Sequence, residues 1–268
     1  MVAKVRRVLG TRAVGHAGTL DPFATGLLVV LVGRATRLAR FVEATAKRYD
    51  AVVRFGTATD TDDATGSAVA VQQPGAWPDE AMIDGALASL TGRIEQRPPA
   101  YSAKHVAGER SHRLAREGVI VDLPPVPVVV HRLERRKWSP PDLELEAMVG
   151  RGSYLRAIAR DLGERLGIPA HCLALRRTRV GPFEVARAIG PEAVSGDDIL
   201  PAATMVSHLP HEMVDERGVR ELGFGRPVPR TLAEPGPAAL VASDGRLVAI
   251  GEAADAQWRP VVVLEPAP

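Results

Sequence analysis

The pattern of apolar and polar positions predicts a chain that contains both strands and helices. Residues 47–55 are predicted to form a strand, and residues 126–138 and 143–149 two longer strands joined at a turn over residues 139–141. The strongest helical spacing falls over residues 153–166, where apolar side chains recur on one face: Leu155, Ile158, Ala159, Leu162 and Leu166. The pattern therefore places a long amphipathic helix after a pair of long strands.

Weaker patterns cover the rest of the chain. Helical spacing is found over residues 2–9, 35–43, 80–90 and 110–116, and extended segments over 27–32, 101–106 and 173–180. Residues 57–66 are polar and acidic, which is typical of a loop. Beyond residue 200 the apolar segments shorten to 238–242, 247–250 and 260–264, which predicts a small β-rich unit. We therefore expect two domains, residues 1–200 and 206–268.

Composition narrows the class of protein. The chain has 268 residues, of which 46% are hydrophobic, and this is enough for a substantial core. A single cysteine, Cys172, excludes an internal disulfide and fits a reducing compartment. No apolar run reaches the ~18 residues of a membrane span, and no signal peptide is evident. These features predict a cytoplasmic protein that does not bind a membrane.

Charge is distributed unevenly although the net charge is only +2. Residues 1–48 carry nine basic and two acidic side chains, a net charge of +7. Residues 151–180 carry seven and two, a net charge of +5, whereas residues 181–268 carry seven and thirteen, a net charge of −6. A basic body with an acidic C-terminal segment favours a polyanionic partner, although ordinary mixed surfaces also contain clusters of this size.

Candidate chemistry is concentrated in residues 12–26, RAVGHAGTLDPFATG. Asp21 is the one acid in this stretch, and glycines and a proline surround it. A loop of this kind that leads into a buried strand is a common way to hold a reactive group on a rigid scaffold. The alternative is a glycine-rich turn whose aspartate caps a helix or turn.

Five segments together resemble the TruB family of pseudouridine synthases, the enzymes that isomerise uridine 55 in the T-loop of tRNA. They follow the family's order: residues 12–26, 47–49 (KRY), 97–104 (RPPAYSAK), 152–163 (GSYLRAIARDLG) and 175–183 (LRRTRVGPF). The resemblance implies an α/β (α+β) fold, in which a catalytic domain of pseudouridine synthase type surrounds a mixed, largely antiparallel sheet. The small β-rich C-terminal domain would take the place of an RNA-binding module of PUA type. Family members usually carry a Lys-Pro-x-Gly-x-Thr-Ser segment ahead of the first helix, and we expect either that the start of this sequence is misassigned or that the protein has lost this segment.

The resemblance also implies roles for individual residues. Asp21 would be catalytic, as a nucleophile or as a base toward the ribose, in a reaction that needs no metal or cofactor. Arg156 would pair with Asp21, and Tyr49 would present an aromatic face to a base flipped out of the RNA. Tyr154 would line the same pocket, and His16 would contact RNA near the flipped nucleotide.

Basic residues are candidates for phosphate contacts: Arg34, Arg37, Arg40, Lys104, Arg110, Arg113, Arg176 and Arg177. Each of the other assignments has a plain structural alternative. Tyr49 and Tyr154 could be core tyrosines, Arg156 a solvated arginine at a helix start, and His16 a histidine that stabilises a turn.

Other kinds of site are weaker candidates. The sequence contains no GxxxxGK[ST] phosphate loop, no HExxH and no CxxC motif. His105 and His112 would share a face only in a fully helical segment, so we expect no metal site there. Asp60, Asp62 and Asp63 lack the glycine and the distal glutamate of a cation-binding loop, and we expect solvated loop acids.

We therefore expect an enzyme that isomerises uridine 55 in tRNA. It would bind the T-arm, act without an obligatory protein partner and be a monomer. The alternative is a non-catalytic protein that binds or folds tRNA and has lost turnover together with the N-terminal segment.

Overall fold

The computed structural model describes residues 1–101, 105–106, 109–110 and 123–266. The chain divides into two compact bodies. We call Leu20–Leu27 together with Thr45–Val180 the central body, and Met1–Thr19, Leu28–Ala44 and Gly181–Pro268 the terminal body. No helix in the described part of the chain is long and apolar enough to cross a membrane.

The described residues form α-helices, short 3₁₀ helices and strands in alternation. The α-helices are α1 (Val2–Val8), α2 (Ala39–Glu43), α3 (Glu80–Ser89), α4 (Leu155–Leu166) and α5 (Glu216–Gly223). The strands are β1 (Val14–His16), β2 (Thr25–Gly26), β3 (Val30–Val32), β4 (Lys47–Phe55), β5 (Thr57–Thr59), β6 (Ala68–Val71), β7 (Gly92–Gln96), β8 (His105–Val106), β9 (Glu109–Arg110), β10 (Val126–Ser139), β11 (Asp142–Val149), β12 (Ala170–Val180), β13 (Phe183–Glu184), β14 (His211–Met213), β15 (Val228–Pro229), β16 (Pro237–Val241), β17 (Leu247–Ala254) and β18 (Gln257–Val263). The 3₁₀ helices are Gly33–Leu38, Val185–Arg187, Gly196–Asp198 and Ala202–Val206.

The central body is built on one sheet in the order β12–β4–β11–β10–β7, with antiparallel neighbours. The two-residue strand β2 pairs with β12 in the parallel sense. The sheet is therefore mixed and largely antiparallel, as expected. In β4 the odd-numbered positions from Lys47 to Phe55 are buried, because successive side chains of a strand point to opposite faces.

Helices α3 and α4 contribute apolar side chains to the core that the buried face of this sheet forms. The predicted apolar face of α4 is buried at Leu155, Ile158, Ala159 and Leu162. The helix ends at Leu166, and its C-cap is Gly167, whose left-handed φ of 68° suits a residue without a side chain. Packing of this apolar face in the core places the first turn of α4, and so Arg156, at a fixed position in the central body.

The terminal body contains a five-stranded sheet in the order β14–β16–β17–β18–β15. Its core includes the fully buried Leu222, Leu240 and Trp258. Glu212 is buried here, and its carboxylate accepts hydrogen bonds from the Trp258 indole (2.6 Å) and from the backbone of Thr231 (2.9 Å). Burial raises the pKa of Glu212, but these hydrogen bonds outweigh burial and hold the pKa below its ordinary value.

The N-terminal segments of this body are tied to the C-terminal end of the chain. Arg34 Nη1 donates to the carbonyl of Leu264 (3.0 Å), and Arg37 Nη1 donates to the carbonyl of Val263 (2.6 Å). Strands β1 and β3 pair with each other. The terminal body is thus assembled from segments that lie far apart in the sequence.

Most of the predicted elements are present, with shifted ends. The helices over 2–9, 80–90 and 153–166 and the strands over 47–55, 126–138, 143–149 and 173–180 all appear. Residues 35–43 form a 3₁₀ turn followed by α2, and the strand expected over 27–32 is reduced to β3. The predicted helix over 110–116 and most of the extended segment over 101–106 lie outside the described residues.

Candidate active site

The loop that carries Asp21 is anchored in the central body on both sides of the carboxylate. Leu20 and Phe23 pack against the hydrophobic core. At the end of the loop, the Leu27 N–H donates to the carbonyl of Arg177 (2.8 Å), and Arg177 Nε donates to the carbonyl of Leu27 (2.8 Å). These contacts fix the backbone that presents Asp21.

Asp21 forms a bidentate ion pair with Arg156. Arg156 Nε donates to Asp21 Oδ2 (3.1 Å) and Arg156 Nη2 donates to Asp21 Oδ1 (2.9 Å). Arg156 is 4% exposed, whereas the Asp21 side chain is 29% exposed. The structure therefore excludes a solvated arginine at this helix start, and it leaves one side of the carboxylate accessible.

Arg156 also binds the loop over residues 59–66, which we call the acidic loop. Arg156 Nη1 donates to the carbonyl of Thr61 (2.9 Å) and lies 3.6 Å from Asp63 Oδ2. The expectation of solvated loop acids is wrong for Asp63, which is buried and accepts hydrogen bonds from the hydroxyls of Thr61 (2.9 Å) and Thr65 (2.6 Å). It is also wrong for Asp62, which is paired with Arg160. Threonines flanking an acid at short spacing were the sequence signal for a satisfied carboxylate.

Tyr49 lies in the core of the central body and is directly opposite Arg177 in the pairing of β4 with β12. Burial raises the pKa of Tyr49, and a hydrogen bond and the charge of Arg177 oppose part of this rise. Arg177 is 1% exposed, so the prediction that it contacts phosphate is wrong. Its alternation with the buried Leu175 along β12 was the signal that it faces inward.

The remaining predicted site residues are distributed over both bodies. Tyr154 is the residue before α4, and its N–H donates to Gln96 Oε1 (2.8 Å). His16 is exposed at the end of β1, and Arg37 is exposed as well; both belong to the terminal body. Lys104 lies outside the described residues.

The other phosphate candidates differ in their environment. Arg176 is exposed on β12, while Arg34 donates to the C-terminal backbone and Arg40 lies over the ring of Phe41 (4.8 Å to the centroid). Arg113 and the side chain of Arg110 lie outside the described residues.

The chemistry available at this site is that of a single accessible carboxylate. Burial raises the pKa of Cys172 to about 12, so this neighbouring thiol is not a nucleophile near neutral pH. Among the described residues, no three His, Cys, Asp or Glu side chains cluster as metal ligands would. Asp21 has the geometry for nucleophilic or general-base work on a substrate that reaches its open side.

Comparison with known proteins defines the class. The model of the TruB family pseudouridylate synthase N-terminal domain matches residues 6–155. The model of the tRNA pseudouridylate synthase B C-terminal domain matches residues 156–208, and that of tRNA pseudouridine synthase II, C terminal, matches residues 209–265. Together these matches follow one another along nearly the whole chain.

Similar proteins agree with the family models. The tRNA pseudouridine synthase B of Thermobifida fusca (strain YX) is 41% identical over 273 residues, which cover 98% of this chain and 92% of that protein. The protein of the same name from Synechococcus sp. (strain CC9311) is 40% identical, covering 98% of this chain and 92% of the relative. Among solved structures, the archaeal box H/ACA sRNP Nop10-Cbf5 complex contains a chain with a TM-score of 0.73 and 23% identity, covering 99% of this chain and 81% of that one, which shows a shared fold.

The fold and the sequence relatives thus define a pseudouridine synthase, an enzyme of the isomerase class. Within that class, the chain belongs to the TruB family.

Proposed function

We propose that this enzyme converts uridine to pseudouridine at position 55 in the T-loop of tRNA and that Asp21 is its catalytic residue. The observation that carries the assignment of Asp21 is its bidentate pair with the buried Arg156 (2.9 and 3.1 Å), which leaves the carboxylate partly exposed. The relatives named tRNA pseudouridine synthase B support tRNA as the substrate.

The reaction breaks the bond between N1 of uracil and C1′ of ribose and forms a bond between C5 and C1′. The proton on C5 is lost to solvent, and N1 gains a proton, so the reaction is an isomerisation without redox change. Asp21 can attack C1′ as a nucleophile, or it can remove a proton from the ribose as a base. Both routes use the same carboxylate, and neither requires a metal or a cofactor.

The target uridine must leave its stack before Asp21 reaches the ribose. We propose that Tyr49, which lies opposite Arg177 in the sheet, presents its aromatic face to the flipped base. Tyr154 is held by Gln96 in the turn that precedes Arg156, and this position supports a role in lining the same pocket. His16, Arg37 and Lys104 stay proposals as RNA contacts.

The partner and domain assignments rest on the relatives and on charge. The T-arm of tRNA is the proposed ligand, and we propose that the enzyme acts as a monomer without an obligatory protein partner. We also propose residues 1–200 as the catalytic domain and residues 206–268 as a separate C-terminal domain; the family model over residues 209–265 supports this boundary.

The test is substitution of Asp21 by Asn, which keeps the size and hydrogen bonding of the side chain but cannot act as a nucleophile or base. Conversion of tRNA labelled with tritium at C5 of uridine is measured by tritium release, in a buffer with EDTA and no added cofactor. We expect Asp21→Asn to lose activity by at least about a thousandfold and to bind tRNA within about tenfold of wild type. The matched control is Asp50→Asn, an exposed aspartate on β4.

Retention of more than a few per cent of the rate by Asp21→Asn would remove Asp21 from the catalytic role. A wild-type chain that binds tRNA and releases no tritium would contradict the proposed activity of this chain.

A further inference from the structure

A second arginine, Arg160, lies one helical turn beyond Arg156 on α4 and binds Asp62 in the acidic loop. Arg160 Nη1 donates to Asp62 Oδ2 (2.9 Å). The same guanidinium donates to the carboxylate of Asp161 (2.8 and 3.1 Å) and to the carbonyl of Arg97 (2.8 Å). The geometry of Arg160 is therefore fixed by several acceptors, and Asp62 is only 15% exposed.

The backbone of the acidic loop explains how two successive aspartates reach two different arginines. Asp62 adopts a left-handed conformation with φ 59°, which L-amino acids other than Gly, Asn and Asp rarely adopt. The Cys172 N–H donates to the carbonyl of Asp62 (3.0 Å), and the Ala64 N–H donates to the carbonyl of Cys172 (3.1 Å). The loop is thus attached to β12 through its backbone and to α4 through its acidic side chains.

We propose that Asp62 and Arg160 are a positioning pair for the reaction. The pair holds the acidic loop on α4 in the orientation in which the Thr61 carbonyl and Asp63 bind Arg156, and Arg156 in turn aims Asp21. Neither member of the pair touches the substrate. This inference rests on the proposed catalytic role of Asp21.

The charge state of Asp62 supports the same conclusion. Burial raises the pKa of Asp62 from 3.8 to about 6; Arg160 and Arg156 oppose this rise and Asp161 adds to it. On the β12 side the neighbour is Cys172, whose thiol is neutral because its pKa is raised to about 12. Asp62 is therefore ionised at neutral pH and becomes neutral as the pH falls through about 6.

This shift has a consequence for stability with a definite sign. A carboxyl whose pKa is higher in the folded state than in the unfolded state destabilises the fold when it is ionised, and the loss develops as the pH rises between about 4 and about 6. An ionised Asp62 is retained at a cost in stability, as is typical of groups that serve function.

The experiment uses the full chain with tRNA as substrate, at enzyme excess, so that the single-turnover rate constant reports conversion of bound tRNA. Three variants are compared with wild type between pH 5 and pH 8. Asp62→Asn keeps the left-handed turn and removes the charge, and Asp62→Gly keeps the turn and removes the side chain. Asp255→Asn is the matched control, because Asp255 is an exposed aspartate with a similar φ of 53° in the turn after β17.

We expect Asp62→Asn and Asp62→Gly to convert tRNA about ten- to a hundredfold more slowly than wild type at pH 7.5. Their tRNA dissociation constants should stay within about twofold of wild type, and Asp255→Asn should match wild type in every respect. The ratio of the wild-type rate to the Asp62→Asn rate should shrink toward one as the pH falls below about 6, since both side chains are then neutral. Thermal unfolding of Asp62→Asn at pH 7.5 should occur no earlier than that of wild type.

A double variant separates the pair from unrelated defects. If the two residues act together, Asp62→Asn combined with Arg160→Gln is no slower than the slower of the two single variants.

A wild-type rate for Asp62→Asn, or a rate deficit that stays constant down to pH 5, overturns the positioning role. If Asp21→Asn is inactive while Asp62→Asn is normal, the proposed function stands and only the positioning pair fails. An active Asp21→Asn contradicts the catalytic assignment itself.

Discussion

At the scale of single residues, Arg156 shows why a guanidinium is needed beside Asp21. All three of its side-chain nitrogens donate: Nε and Nη2 to Asp21, Nη1 to the Thr61 carbonyl, and Nη2 also to the Tyr101 carbonyl. These acceptors lie in different directions around one plane. A lysine has a single nitrogen on a flexible stem and cannot serve them together.

We therefore expect Arg156→Lys to fail almost as severely as Arg156→Ala. Both should lower the single-turnover rate by at least about a hundredfold, with a much smaller effect on tRNA affinity. The rate is measured by tritium release, and Arg217→Lys, at an exposed arginine on α5, is the control. If lysine restores most of the activity lost in Arg156→Ala, then positive charge alone suffices and the two parallel hydrogen bonds of the guanidinium to Asp21 are unimportant.

The contact between Tyr49 and Arg177 gives a prediction about ionisation. Because Arg177 favours the phenolate, its removal leaves burial unopposed and the pKa of Tyr49 rises further above 10. The chain has three tyrosines, so an ultraviolet titration of wild type minus Tyr49→Phe isolates the signal of Tyr49. The same difference in an Arg177→Gln background should titrate at higher pH. An unchanged midpoint would show that Arg177 does not act on the Tyr49 hydroxyl.

The sequence predicted Asp21, Tyr49 and Arg156 as site residues, because each belongs to a segment that resembles the TruB family, and the structure pairs Asp21 with Arg156. It missed the burial of Asp63 and Arg177. A charged residue is assigned to solvent when its partners are unknown, and here the partners are a threonine hydroxyl two residues away and a carbonyl 150 residues away in the sequence. Local spacing carried a signal for the burial of both residues, but the partner of Arg177 is set by tertiary contact.

At the scale of elements, the parallel pairing of β2 with β12 connects the Asp21 loop to the sheet. Thr25 pairs with Arg176 and Gly26 with Arg177. Gly26 has φ 98°, and a Cβ there would lie 2.3 Å from the carbonyl oxygen of Arg177. A side chain at this position and the close approach of the two backbones are incompatible.

We expect Gly26→Ala to reduce both stability and activity. The control is Gly245→Ala, since Gly245 has a similar φ of 83° in a turn where a Cβ meets nothing within 4 Å. Both variants carry the strain of an alanine at positive φ, so their difference isolates the backbone overlap. Gly26→Ala should be less stable than Gly245→Ala by ~1–3 kcal/mol in chemical unfolding and should lose most of its rate of pseudouridine formation. Equal effects of the two substitutions would mean that β2 shifts away without consequence.

Strands with a clear pattern were predictable and their pairing was not. Lys47–Phe55 was predicted residue for residue, because apolar positions flanked by a glycine outline it. The strand β2 has two residues, too few for any periodic signal, and its partner follows it by about 150 positions. Residues 33–38 form a 3₁₀ helix. The sequence did not predict this, because helical spacing does not separate 3₁₀ from α structure over two turns.

At the scale of the whole molecule, the uneven charge distribution predicts that tRNA phosphates bind to the basic segments of the chain and not to the acidic segment over residues 181–268. Exposed arginines of the basic segment over residues 151–180 include Arg151 and Arg176, whereas the acidic segment after residue 181 also exposes arginines such as Arg217 and Arg259. Truncation is a poor test of these segments, because Arg34 and Arg37 donate to the carbonyls of Leu264 and Val263. Neutralisation of surface charge leaves those contacts in place.

We expect Arg151→Gln combined with Arg176→Gln to weaken the salt dependence of tRNA binding. Each phosphate contact that is lost should reduce the slope of log affinity against log salt by about 0.7–0.9. The matched double variant, Arg217→Gln with Arg259→Gln, should leave the slope unchanged. Affinity is measured from about 50 to about 300 mM salt, a range that includes physiological ionic strength. The reverse outcome would assign the phosphate contacts to the C-terminal segment.

Trp258, which donates a hydrogen bond to Glu212, lies in a different body from the other two tryptophans, so the fluorescence of each body can be measured separately. Trp77 and Trp138 pack on the core of the central body, with ring centroids 6.3 Å apart, while Trp258 is 1% exposed in the core of the terminal body. These are all of the chain's three tryptophans. A variant that retains Trp258 alone therefore emits from one body, next to a carboxylate, and a variant that retains Trp138 alone emits from the other. Denaturation followed in the two variants yields a separate melting curve for each body.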